Sequence, residues 1–149
     1  MKENPFKYFT LEEMGVNKDF KWTPEIVTHG LMMDDLREWA VKYFPKQFAK
    51  SGLIVSRRGW FRNKEDNKAA GGASNSAHLD ARATDVNNIP SELYREFIAA
   101  WKLLCHIYGV VGGIELYNWG MHFDSHSDKF NVKVFRLKDN RGVLKDERI

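Results

Sequence analysis

The segment His122-Phe123-Asp124-Ser125-His126 sets three polar side chains at alternate positions. On an extended strand such positions share one face, so two imidazoles and a carboxylate would project together while Phe123 turns into the core. A solvated edge strand would carry the same pattern. A second group lies upstream, where Ser76-Ala77-His78-Leu79-Asp80-Ala81-Arg82-Ala83-Thr84-Asp85 holds His78 and Asp85 seven residues apart. That separation is ~10 Å of rise along a helix, too far for one ion, and on a straight strand it puts the two on opposite faces. They can share a metal only if the chain bends between them, and Ala81 and Ala83 are small enough to permit a tight fold there. Two neutral imidazoles and one carboxylate would give Zn²⁺ a net positive site with an open fourth position. Water there ionises near pH ~7 and a carbonyl is polarised, so a general base must take the water's proton. The remaining histidines, His29 and His106, read as structural or surface residues. His106 falls inside a helix, and His29 precedes the first one beside Gly30.

Elements must exist to position these groups. Residues 1–30 read as an irregular segment that wraps the domain, anchored by Phe6, Tyr8, Phe9, Phe20 and Trp22. Leu36, Trp39, Ala40, Tyr43 and Phe44 recur at helical spacing and predict a helix over 31–48, broken or closed by Pro45. A short strand is expected at 53–56. The polar, Gly-rich stretch 57–77 carries no clear element, and long loops inside compact domains are disproportionately functional. A strand at 83–86 follows. Leu93, Phe97, Trp101, Leu104, Cys105 and Tyr108 then define a helix over 91–108, with Ser91 as N-cap and Gly109 ending it. Residues 114–117 and 121–124 read as a hairpin turning at Asn118-Trp119-Gly120, and 132–137 as a last strand. The tail from Lys138 to residue 149 is charged and expected to fray. Helices interspersed with hairpin-type strands favour an α+β fold, a small antiparallel sheet flanked by helices, over a doubly wound parallel one.

Composition narrows the class. With 149 residues the chain has room for one domain. It carries 43% hydrophobic and 29% charged residues, an ordinary globular mixture that excludes wholesale disorder. No apolar run approaches the ~18 residues of a membrane span. The segment Met1-Lys2-Glu3-Asn4-Pro5 lacks the apolar core of a secretory signal. Cys105 stands alone, excluding an intrachain disulfide and cysteine-rich zinc modules. The net charge of +3 is too small to imply nucleic acid by itself.

Gly59-Trp60-Phe61-Arg62, Asn67-Lys68-Ala69-Ala70-Gly71-Gly72, Ser76-Ala77-His78 with Ala83-Thr84-Asp85, and Gly112-Gly113-Ile114-Glu115-Leu116-Tyr117 with Met121-His122-Phe123-Asp124 form an ordered set of four blocks. Together they resemble the zinc D-Ala-D-Ala carboxypeptidase family, over about residues 30–126. The nearest subgroup is the small single-domain peptidases of bacteria and phages, which share their zinc fold with the hedgehog signalling domain. The resemblance implies that His78, Asp85 and His122 ligate Zn²⁺. It implies that Arg62 binds a substrate carbonyl or carboxylate, a task suited to its planar charged fork, and that Ser76 lines the same pocket. Two departures stand out. Several relatives carry an acid where this chain has Trp119, and Gly is frequent where it has Ala81. The general base therefore has to come from elsewhere. Glu115 is the first candidate, since a two- or four-residue hairpin loop would set it opposite His122, where cross-strand neighbours are ~5 Å apart, and a three-residue loop would set it diagonally. Asp124 is the alternative, more suited to orienting a ligand, and His126 could assist in the transition state.

The expected function is a zinc metallopeptidase cutting peptidoglycan stem peptides, as a D,D-carboxypeptidase or an endolysin-type endopeptidase. A phage or prophage origin would have it made in the cytoplasm and acting on the cell wall, as a monomer. A wall-binding module that kept the zinc fold without catalysis is the alternative. Nucleic-acid binding through Ser56-Arg57-Arg58-Gly59-Trp60-Phe61-Arg62 ranks last, because it leaves the histidine and carboxylate pattern unexplained.

Overall fold

Thr10 opens the first short helix, α1 (Leu11–Met14), by a capping box in which its hydroxyl accepts from the Glu13 N–H and the Glu13 carboxylate from the Thr10 N–H. The computed structural model describes residues 4–73, 76–126 and 134–142. Thr23 caps α2 (Pro24–Tyr43), with Pro24 at the first helical position. The long helix thus begins before residue 31, and His29 and Gly30 lie inside it. The Thr-Pro-Glu start precedes any apolar periodicity, which is why a hydrophobic pattern sets the start too late. Pro45 ends α2 as expected and opens α3 (Pro45–Phe48).

The stretch 57–77 is not free of structure. Asn63 caps α4 (Lys64–Ala69), whose only buried residue is Asn67, so no apolar stripe announces it. Conversely, 53–56 forms no strand: Val55 makes a single bridge to Val86 before the chain turns at Arg57-Arg58. A 3₁₀ turn, Ala77–Asp80, leads into β1 (Ala83–Val86). A second, Ser91–Leu93, leads into α5 (Tyr94–Tyr108), which closes at Gly109. Ser91 makes no capping hydrogen bond, because the 3₁₀ turn places it ahead of the α-helical start.

The hairpin is β2 (Gly113–Tyr117) and β3 (Gly120–Asp124), joined by Asn118-Trp119 alone. Strand order is β1-β3-β2-β4, with β4 spanning Arg136–Asp139. The first three strands are antiparallel, and β4 adds parallel to β2, so the α+β sheet is mixed. Residues 132 and 133 of the expected last strand lie outside the described residues. The strand itself falls later than its apolar stretch suggests, because β4 is an edge strand whose paired residues are largely charged. The charged tail is also partly structured: Lys138 and Asp139 belong to β4, and Arg141 is buried over the Tyr94 ring and bonded to Asp139. Residues 143–149 lie outside the described residues.

Phe123, Ile114, Leu116, Met121 and Val86 turn one sheet face into the core, where α5 packs on both β2 and α2. Trp101 and Phe97 of α5 meet Phe123 edge-on or tilted. The N-terminal segment is not irregular throughout, since α1 and the first turns of α2 lie within 1–30, but its start packs on this core. Phe6 and Phe9 pack on Trp60, and Asp34 accepts the backbone N–H groups of Lys7 (2.8 Å) and Tyr8 (3.1 Å). The basic and aromatic run 56–62 therefore presents no interleaved face, since Trp60 is fully buried.

His29 is the polar post of this core. It is fully buried, 2.9 Å from both Ser125 Oγ and Thr84 Oγ1, and edge-on to Trp60 and Trp101. Burial lowers its pKa from 6.5 to about 3, so it folds neutral. Below pH ~6.5 the unfolded chain takes up a proton at this site that the folded chain refuses. Stability must then fall by about 1.4 kcal/mol per pH unit through this group alone. Urea unfolding from pH 4 to 7 should show a shallower pH dependence for His29→Gln than for the wild type. Parallel curves would contradict it.

Candidate metal centre

The bend required between His78 and Asp85 is present. After the 3₁₀ turn Ala77–Asp80, Ala81 adopts a left-handed conformation at φ 55°, and the chain reverses into β1. Left-handed backbone costs a non-glycine residue about 1–2 kcal/mol, and Ala81, fully buried, is held there by its surroundings. Ser76 stabilises the turn by accepting from the His78 N–H at 3.2 Å. Asp85 is fixed by its own N–H to the Gly59 carbonyl.

Register does the rest. Asp85 pairs with His122, and His122 with Glu115, and Glu115 with Lys138, so one straight row crosses all four strands. Donor atoms of His78, Asp85 and His122 lie within 4.8 Å of one another, all three residues buried. His78 Nε2 is 3.3 Å and His122 Nδ1 2.9 Å from Asp85 Oδ1. The outer nitrogens are committed elsewhere. His78 Nδ1 donates to the Trp60 carbonyl at 2.8 Å, and His122 Nε2 donates to Asp124 Oδ2 at 3.0 Å. Those bonds leave Nε2 of His78 and Nδ1 of His122 facing Asp85, the tautomers a metal ion needs. Imidazole, imidazole and carboxylate suit zinc. The donor set fits the ion.

Charges in the metal-free protein follow this geometry. Burial opposes the His122 cation, but hydrogen bonds to Asp124 and Asp85 outweigh it and raise the pKa from 6.5 to about 10. Burial likewise opposes the Asp85 and Asp124 anions. Their bonds to His122, with His78 adding to Asp85 and Arg136 to Asp124, hold both well below the usual carboxylate range. The His122 imidazole is therefore held as a cation between the two carboxylates.

The site opens into a cleft of about 510 Å³ that also includes Arg62, Ser76, Glu115, Trp119, His126 and Lys138. Glu115 is held by one oxygen: the Tyr117 hydroxyl (3.1 Å) and Asn140 Nδ2 (2.9 Å) both donate to Oε1. Its Oε2 is 3.9 Å from His122 Nε2. Burial, and then the Glu115 charge, push the Tyr117 phenol up, so it stays a donor. Arg62 donates to Asp85 Oδ2 at 3.0 Å and to the Arg58 carbonyl at 2.7 Å, so much of its fork is spent on the metal-site aspartate. His126 is buried against Asp80 at the cleft wall. Of the two set-aside histidines, His29 is the core post and His106 is exposed.

Arg136 and Asn140 went unnoticed in the sequence. Arg136 donates to Asp124 across Gly113, where a Cβ would sit 2.8 Å from the guanidinium and push it aside. A Gly in β2 facing an Arg two residues before Lys138 is a signal visible only once the parallel pairing is known.

Two imidazoles and a carboxylate gathered beneath an open cleft could hold a metal ion within reach of a bound substrate. The Peptidase M15 family model matches residues 7–124, and the chain belongs to that family, the zinc D-Ala-D-Ala carboxypeptidase type. No curated protein and no solved structure matches it. Among the described residues no helix is long and apolar enough to cross a membrane.

Metal binding must expel the His122 proton. Calorimetric titration with zinc in buffers of differing ionisation enthalpy should release about one proton per ion at pH 7, with affinity rising as pH rises. Release of none would contradict the bridging proton. Asp124→Asn, which weakens the bond to His122 Nε2, should lower zinc affinity about tenfold by chelator competition, and unchanged affinity would contradict the orienting role.

Proposed function

We propose that the protein is a zinc-dependent peptidoglycan peptidase that hydrolyses an amide bond of the stem peptide, as a D,D-carboxypeptidase or an endolysin-type endopeptidase. The carrying observation is the row Asp85, His122, Glu115, which sets Glu115 Oε2 3.9 Å from His122 Nε2 in the cleft that the candidate ligands line. His78, Asp85 and His122 hold the ion. When bound, zinc supplies Lewis acidity, polarising the scissile carbonyl and making water acidic enough to ionise near neutrality.

The chain's own residues do the remainder. Glu115 Oε2 takes the proton of the attacking water and passes it to the departing amine nitrogen. Tyr117 and Asn140, bonded to Oε1, keep the other oxygen turned inward. Asp124 holds the His122 ring in its ligating tautomer. Arg62 steadies Asp85 and turns its remaining edge, with Ser76, to the substrate. His126, anchored by Asp80, lines the wall where charge develops on the carbonyl oxygen. The net charge of +3 suits an anionic wall polymer.

One observation favours a second reading, a wall-binding module without turnover. Where several relatives carry an acid, Trp119 is 46% exposed and stacked on Tyr117, a platform suited to binding. Mass spectrometry of purified muropeptides separates the two. Cleavage abolished by chelator and restored by zinc is the expected outcome. Glu115→Gln should lower kcat by about 10²–10⁴ while keeping its zinc. A zinc-loaded protein that binds muropeptides without product would establish the second reading, and undiminished turnover in Glu115→Gln would remove Glu115 as the base.

A further inference from the structure

We propose that Lys138 is a specificity-determining residue of this cleft, its ammonium receiving a substrate carboxylate two or three residues along the peptide from the scissile bond. The inference rests on the peptidase reading above. It concerns a strand past the segment that matches the family, since β4 begins at Arg136 and the match ends at residue 124.

Lys138 closes the row that begins with the ligands, pairing with Glu115 as Glu115 pairs with His122. Strands lie about 4.8 Å apart, so its Cα stands roughly 10 Å from that of His122, the reach of about three extended residues. Its side chain lines the same cleft and is exposed there.

A lysine beside a glutamate on a neighbouring strand ordinarily pairs with it. Here no such pair forms between the two side chains, and one oxygen of the glutamate is already engaged. Tyr117 and Asn140 occupy Glu115 Oε1, and Oε2 faces His122. The other cations of the cleft are also engaged, Arg62 with Asp85 and Arg136 with Asp124. Among the described residues the Lys138 side chain makes no hydrogen bond or ion pair. An unneutralised cation at the end of this row, next to Glu115, offsets the repulsion that Glu115 would exert on an anionic substrate. It thereby selects acidic peptides over their neutral amides.

The test uses two stem-type peptides that are identical except for a carboxylate or a carboxamide at that distance from the cut bond. The ratio of their kcat/KM values is measured on the zinc-loaded enzyme. The wild type should favour the carboxylate by about fivefold, more at low salt. The ratio should approach one in Lys138→Met, persist in Lys138→Arg and invert in Lys138→Glu. A Lys138→Met ratio equal to the wild-type ratio would overturn the proposal, as would equal loss on both peptides. Binding of the same pair to Glu115→Gln, with and without the Lys138→Met change, is read in parallel by calorimetry. Absence of cleavage would contradict the peptidase reading, while the binding ratio would still decide the role of Lys138.

Discussion

The imidazole of His122, held between Asp85 and Asp124 in the metal-free protein, is the interaction on which the site turns. Each of its nitrogens meets a carboxylate, one from the neighbouring strand and one from its own. Two buried anions would repel one another strongly without a cation between them. Protonated His122 fills that need, and a zinc ion held by His78, Asp85 and His122 as proposed would fill it with a second positive charge. The site is therefore built to hold positive charge in either state, which explains why so much carboxylate can be buried at once.

That arrangement is a consequence of sheet register. Because side chains alternate, a one-residue slip of β3 would send His122 and Asp124 into the core and Phe123 into the cleft. Phe123 prevents it, packed on Trp101 and Phe97. His29 adds a second lock from α2 by bonding Thr84 of β1 and Ser125 just beyond β3. The apolar face of the sheet thus positions the polar one. Edge strand β4 completes the polar face: Arg136 braces Asp124, and Asn140, just past the strand, braces Glu115.

The shared face of His122 and Asp124 was legible in the sequence, since alternate residues on one strand project together, whereas the hairpin length was not: Gly120 reads as part of the turn but belongs to β3. The two-residue turn at Asn118-Trp119 puts Glu115 opposite His122, the register that such a loop requires. The helices around Trp39 and Trp101 were legible from their apolar stripes. Other features were hidden for physical reasons. Helix α4 buries almost nothing, the start of α2 is written in a cap instead of a stripe, and β4 is an edge strand with charged residues on its cleft face. The bracing by Arg136 depends on a parallel pairing between segments far apart in sequence, which no local pattern encodes. Ala81 was recognised as the small residue at the bend, but its left-handed backbone belongs to the tertiary structure.

Zinc-edge anomalous diffraction from crystals of the zinc-loaded protein tests the central claim most directly. A single peak in contact with His78 Nε2, Asp85 Oδ1 and His122 Nδ1, with Asp124 still bonded to the far nitrogen of His122, is the predicted result. A peak on His122 Nε2, or one away from these three residues, would contradict the account.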